Sequence, residues 1–170
     1  MKLSEIDIVK KLKEKFPDVT VDWVEPENGD KYLVVPTDKI DLIAKHLKES
    51  PELSFDFLMS VSAFDALKWG ENLNYIDVTY HFYSYEHRHA FNVKTRPVRQ
   101  GGEVNTISHL YGCANFQERE VFDHFGVKFN GHPDLRRILL PDDWVGYPLL
   151  KDYQEQEEYN GIATTRPSLL

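Results

Sequence analysis

Apolar residues recur at helical spacing in two early stretches and alternate with polar residues in the stretches that follow. Ser4 stands as a side-chain cap before Ile6, Val9, Leu12 and Phe16, one apolar face of a helix that Pro17 closes. Residues 19–24 and 32–35 are short β-type runs joined by Glu-Asn-Gly-Asp, a sequence suited to a hairpin turn. Pro36 and Thr37 introduce a second amphipathic helix, with Ile40, Ile43, Ala44 and Leu47 on one face and an end near Ser50 and Pro51. Residues 55–62 are a third strand candidate. Between 73 and 83 the alternation is regular. Leu73, Tyr75, Asp77, Thr79, His81 and Tyr83 share one face, and Ile76, Val78, Tyr80 and Phe82 the other. The second set is apolar and is predicted to face the core. Residues 90–95 are its expected antiparallel partner, across a turn at 85–88.

Helix, hairpin, helix and then a run of strands predicts an α+β fold, a helix-covered mixed or antiparallel sheet with an extended, irregular C-terminal arm. Residues 96–102 read as a loop, and 106–112 are expected to hold a short helix. The globular domain is assigned to 1–129 and the docking arm to 130–170.

The helix predicted over 116–125 introduces the arm. Asn115 followed by Glu118 fits a capping box, and Gly126 stands where a helix ends in the left-handed conformation. Val121, Phe122 and Phe125 share a face; Arg119 and Asp123, four residues apart, can pair on the opposite one. Glu118 projects along the apolar face, and two readings fit it: a cap at the start of the helix, or a buried carboxylate paired with Arg136 or Arg137. After Phe129, proline and glycine are too dense for a long helix or a central strand. Leu135, Ile138, Leu139, Leu140, Trp144, Tyr147, Leu149 and Leu150 are nevertheless too apolar for a solvated loop. Such a segment either covers its own domain or packs across a neighbour, and Trp, Tyr and Arg are enriched at interface hot spots. Residues 154–170 are acidic at first and are expected to form an extended tail ordered by a partner.

The chain has 170 residues, 41% of them hydrophobic and 28% charged, which is the balance of a globular domain able to bury a core. A net charge of −8 argues against a nucleic-acid partner. No apolar run reaches the roughly 20 residues of a membrane span. The first residues lack the pattern of a signal peptide. The single cysteine, Cys113, excludes an internal disulfide and an all-cysteine iron–sulfur cluster. Cys113 is expected to be a small buried residue.

Seven histidines call for a metal or acid–base reading. His87 and His89 flank Arg88 at a spacing zinc can use, yet no third ligand is indicated. His109 and Cys113 are four apart, without a Cys-x-x-Cys or His-Glu-x-x-His pattern. Asp123-His124 and Asp142-Asp143 are adjacent residues that point apart. A stand-alone metal-binding or hydrolytic protein is the reading these groups would support; no complete active site is expected in this chain.

Residues 115–153 closely resemble one family, the thirty-kilodalton subunit (the C subunit) of respiratory complex I, the proton-pumping NADH:quinone oxidoreductase. The match lies in Glu118-Arg119-Glu120, Asp123-x-Phe125-Gly126 and Phe129-x-Gly131-His132-Pro133-Asp134-Leu135-Arg136-Arg137, and continues through Trp144, Pro148 and Lys151-Asp152-Tyr153. Leu150 departs from the arginine the family often carries there. The resemblance implies a non-catalytic structural subunit of the peripheral arm, beside the forty-nine-kilodalton-type subunit near the quinone site. It implies no cofactor on this chain, with flavin, iron–sulfur clusters and quinone held by partner subunits, and indirect attachment to the cytoplasmic side of the cell inner membrane. The expected partner contacts are Arg119, Glu120, His132, Asp134, Arg136, Arg137, Trp144, Tyr147, Lys151, Asp152 and Tyr153. Asn115, Glu118, Asp123, Phe125 and Gly126 are expected to be structural. The J subunit of photosynthetic NDH complexes and complex I-related membrane hydrogenases carry similar domains and form the alternative.

Overall fold

The computed structural model describes residues 3–67 and 73–164. Helix α1 (Glu5–Lys15) starts where Ser4 Oγ accepts the Asp7 N–H at 3.2 Å. Its buried face is Ile8, Val9 and Leu12; Ile6, expected inside, is 48% exposed, because the helix is phased so that Ile8 fills that place. Strands β1 (Asp22–Val24) and β2 (Tyr32–Val34) form the expected antiparallel hairpin, and α2 (Ile40–Glu49) buries Ile40, Ile43, Ala44 and Leu47 as predicted.

Next come β3 (Phe57–Asp65), β4 (Ile76–Ser84) and β5 (His89–Thr95), antiparallel in sequence, with Tyr80 opposite both Val61 and Val93. Strand β2 joins β5 in parallel, so the five-stranded sheet runs β1-β2-β5-β4-β3 and is mixed. A register shift between Leu58 and Ser60 makes Met59 the extra residue of a bulge, which lets Leu58 and Val61 both face inward. The two helices and the inner face of the sheet share one core, with Phe55, Tyr80, Phe82 and Phe91 fully buried at its centre. Each of the three phenylalanines contributes about 1.5–3 kcal/mol through burial.

A second layer closes one end. Strands β6 (Glu103–Asn105) and β7 (Lys128–Asn130) pair in parallel around α3 (Ala114–Phe125), which packs on β3. Gln117 Oε1 accepts the Val61 N–H at 2.6 Å and so covers part of the β3 edge. The short helix expected over 106–112 is a series of turns instead. Ser108 N–H turns back to Thr106 Oγ1 at 3.1 Å, and Ile107 O takes both Leu110 N–H and Tyr111 N–H, so no helical ladder develops. Late in the arm, β8 (Glu158–Tyr159) and β9 (Ile162–Ala163) form a small hairpin within the stretch expected to be an extended tail. Residues 165–170 of that tail lie outside the described residues.

Candidate docking site

Helix α3 carries three charged side chains that are all buried: Glu118, Arg119 and Asp123. Two of them hold the arm. Arg119 donates through Nε to the Arg136 carbonyl and through Nη2 to that of Arg137, both at 3.1 Å. Asp123 Oδ2 accepts three consecutive amides, those of Ile138, Leu139 and Leu140, at 3.1, 2.8 and 2.9 Å. Arg137 reaches back to Asp123 Oδ1 at 2.8 Å and, with its other amino group, donates to the carbonyls of Trp144 and Gly146 at 3.1 Å. A chain with too much proline and glycine for secondary structure thus has its backbone groups paired by side chains. Burial alone would raise the Asp123 carboxyl, but the Leu140 and Leu139 amides, Arg137 and the Ile138 amide together hold it below the usual carboxylate range.

The expected Arg119–Asp123 pairing on the face opposite Val121 is not what forms. Both residues face the arm, which brings the donors and acceptors each needs.

Glu118 also differs from expectation. It neither caps the helix nor meets Arg136 or Arg137. Its Oε1 accepts the Ile107 N–H at 2.8 Å, and its Oε2 is hydrogen-bonded to Thr106 Oγ1. Arg137 is held by Asp123, and Arg136 Nε lies 3.0 Å from Asp134. Burial pushes the Glu118 carboxyl up to about 7, against the lowering effect of the Thr106 and Ile107 bonds. His132 Nε2 lies 4.0 Å from Glu118 Oε2, beyond hydrogen-bond reach. Asp134 N–H donates to His132 Nδ1, so Nε2 is the protonated nitrogen and donates to the Asn115 carbonyl at 3.0 Å. Asn115 lies inside α3 rather than capping it; Cys113 occupies the cap position, makes no side-chain capping bond, and is exposed rather than buried.

At the far end of the arm a second clamp reaches the main sheet. Arg99 holds Asp65 in a two-pronged pair, Nε to Oδ1 at 2.8 Å and Nη2 to Oδ2 at 2.9 Å, and takes Asp152 at 2.5 Å. The Lys151 N–H donates to Asp65 Oδ2 at 2.8 Å. These anions, Asp152 first and Asp65 second, raise the Arg99 guanidinium further above its ordinary value. Neither Asp65 nor Arg99 had a sequence signal, because the pair spans 34 positions with no periodic relation.

Aromatic rings fill the space between the clamps. Tyr147 packs over Gly126 and lies 6.3 Å from the Phe122 ring, with the Arg137 guanidinium 5.4 Å from its own centroid. Trp144 meets Tyr159 at 5.2 Å. Tyr153 lies close over Gly146, and Phe125 is buried in the core. Glu120, Asp134, Arg136 and Lys151 remain at the surface. The His87 and His89 rings are 6.0 Å apart, and among the described residues no group of three or more His, Cys, Asp or Glu could hold a metal ion.

Residues 33–159 match the family described as respiratory-chain NADH dehydrogenase, 30 Kd subunit. The C subunit of NADH-quinone oxidoreductase from Chlorobium phaeobacteroides is 38% identical over 160 residues, covering 94% of this chain and 93% of that protein. The corresponding subunit of Geobacter sulfurreducens is 40% identical over 157 residues, covering 90% and 94%. Among solved structures, the trypsin-resistant fragment (1-134) of Nqo5 has a TM-score of 0.63 at 25% identity, covering 78% of this chain and 100% of that one. A chain of the membrane-bound sulfane sulfur reductase, an archaeal respiratory membrane complex, has a TM-score of 0.68 at 28% identity, covering 88% and 85%. The α+β fold with its mixed sheet agrees with both structures. By sequence and by fold, the chain belongs to the thirty-kilodalton subunit family of respiratory-chain NADH dehydrogenase, the family of the NADH-quinone oxidoreductase C subunit.

Proposed function

We propose that this chain is a non-catalytic structural and assembly subunit in the peripheral arm of a proton-translocating NADH:quinone oxidoreductase, packed against the forty-nine-kilodalton-type subunit near the quinone-reducing module. The observation that carries the reading is the clamped arm, whose irregular backbone is fixed by Arg119, Asp123, Arg137 and Arg99. A surface already shaped before association loses little conformational freedom when it docks. Glu120, Asp134, Arg136 and Lys151 are assigned direct partner contact. Arg119, His132, Arg137, Trp144, Tyr147, Asp152 and Tyr153 are assigned the support of the arm's docked shape. Flavin, iron–sulfur clusters and quinone are assigned to the partners, and the isolated chain to no turnover. No helix among the described residues is long and apolar enough to cross a membrane. Its place at the cytoplasmic side of the inner membrane is assigned to contacts with partner subunits.

The test is an affinity pull-down of the tagged chain from its host membranes, read by mass spectrometry. Recovery of a forty-nine-kilodalton-type subunit with cluster-bearing partners is expected, and recovery of the chain alone would overturn the reading. The likeness to the sulfane sulfur reductase favours one second reading, a related membrane complex with a different substrate. Flavin- and NADH-module subunits among the recovered proteins select the NADH-linked complex. Their absence beside a forty-nine-kilodalton-type subunit selects the relative.

A further inference from the structure

The arm has an inner and an outer apolar side. Leu135 and Leu150 pack against the core, whereas Leu139, Val145 and Leu149 are exposed by 63%, 63% and 50%. The backbone of the outer three is held at or near the C-terminal end of α3. Leu139 gives its N–H to Asp123, and Leu149 gives its N–H to the carbonyl of the next helical residue, His124, at 3.2 Å. Val145 lies between Trp144 and Gly146, whose carbonyls both bind one Arg137 amino group. Leu139 and Val145 are thus carried by backbone held to one salt bridge, and Leu149 by backbone held to the helical residue beside it.

Charge around this ridge is one-sided. Asp142 and Asp143 are exposed between Leu139 and Val145. The nearby cations are engaged: Arg137 is turned inward onto Asp123, Arg136 lies against Asp134, and the Lys151 ammonium lies 5.8 Å from the centre of the Phe64 ring. We propose that Leu139, Val145 and Leu149, with Asp142 and Asp143 between them, seat in an apolar groove rimmed by lysine or arginine on a neighbouring subunit. This rests on the subunit reading above, and it names the surface that docks and the chemistry of what receives it. An acidic ridge rejects a second acidic copy of this chain, which carries a net charge of −8.

The test pulls down the tagged full-length chain from host membranes in three forms: parent, Leu139→Asp/Val145→Asp/Leu149→Asp, and Asp142→Lys/Asp143→Lys. All altered side chains are exposed, and a thermal melt checks each fold. The expected result is a loss of partner recovery exceeding about tenfold for the first variant, and a clear loss for the second that varies with salt. Equal recovery by parent and both variants overturns the ridge while leaving the subunit reading intact. A parent that recovers no partner removes the subunit reading itself, and the ridge with it. A photo-crosslinking residue at Val145 in the otherwise intact chain gives a readout independent of the variants' folding. Cross-links to a neighbouring subunit support the ridge. Cross-links only to a second copy, or none from a chain that still recovers its partners, overturn it.

Discussion

Arg137 and Asp123 form a salt bridge whose main effect is on backbone. Nη1 and Oδ1 are 2.8 Å apart, and from that contact the carboxylate organises the amides of residues 138–140 while the guanidinium organises the carbonyls of Trp144 and Gly146. The Asp123 side chain is fully buried and that of Arg137 largely so. Removing one partner therefore leaves the other poorly solvated, and with it several groups of the 138–146 segment, which has no helix or strand to fall back on.

Every side-chain or backbone group aimed at the Asp123 carboxylate is a donor. Asp123→Asn turns amide hydrogens toward those donors and removes the charge, so a loss of about 3–5 kcal/mol is expected. Urea unfolding of the full chain measures it, and hydrogen exchange at the amides of 138–140 should accelerate with it. A variant as stable as the parent would mean that the arm is not held through this carboxylate.

The same chemical change at Glu118 has the opposite expectation. Glu118 is buried beside a hydroxyl and an amide, and its folded value of about 7 lies above its ordinary 4.5. The folded state binds this proton more tightly, so the stabilisation is complete below about pH 4.5 and is lost as pH rises through about 7. The lost contribution is roughly 3 kcal/mol at alkaline pH. In Glu118→Gln the amide can donate toward Thr106 and accept from Ile107, as the protonated acid does. The parent should lose stability relative to this variant between pH 5 and 8, on the order of 3 kcal/mol over the window. Parallel pH–stability curves for the two proteins would contradict the burial argument.

The main sheet was legible because period-two alternation in β4 and helical spacing in α2 each report a face that meets the core. Ile76, Val78, Tyr80 and Phe82 are all fully buried. Helical spacing did less well where it was asked for partners. It paired Arg119 with Asp123, whereas residues brought by the arm offered both side chains several donors or acceptors each. It also read Asn115 and Glu118 as a cap, yet the turns at 107–113 lead straight into the helix and the Asn115 carbonyl receives His132. Asp65 with Arg99 had no local signal at all. Tertiary partners across tens of residues carry the site, and a periodicity confined to one element does not report them.

Asp65 and Asp152 share Arg99 but differ in what their loss exposes. The Asp65 side chain is inaccessible, and it accepts the Leu67 and Lys151 amides as well as the guanidinium. Asp65→Ala strands the two amides and the Arg99 Nε in a buried site, leaving Arg99 only Asp152, and about 3–5 kcal/mol of stability should disappear. Asp152 is half exposed. There water replaces the carboxylate, and Asp152→Ala should cost about 1 kcal/mol or less. Paired denaturation curves test the contrast. Equal losses would place the clamp's strength at the surface rather than in the buried pair.

Gly126 ends α3 with φ at 77°, its N–H donating to the Phe122 carbonyl at 2.9 Å. A side chain there carries a backbone cost of roughly 1–2 kcal/mol. The larger effect should be steric, since an added Cβ would stand 2.5 Å from Cε2 and 2.8 Å from Cδ2 and Cζ of Tyr147. Neither the helix end nor a ring wedged between Arg137 and Phe122 can yield by that much without moving the arm. Gly126→Ala should therefore raise the rate of limited proteolysis within 138–150 as well as lower the melting temperature. Truncating Tyr147 to Ala in the same chain removes the clash and leaves only the backbone cost, so the two substitutions should be less harmful together than their separate losses predict. Strict additivity would show that Tyr147 moves aside freely and that the arm is not braced against the end of α3.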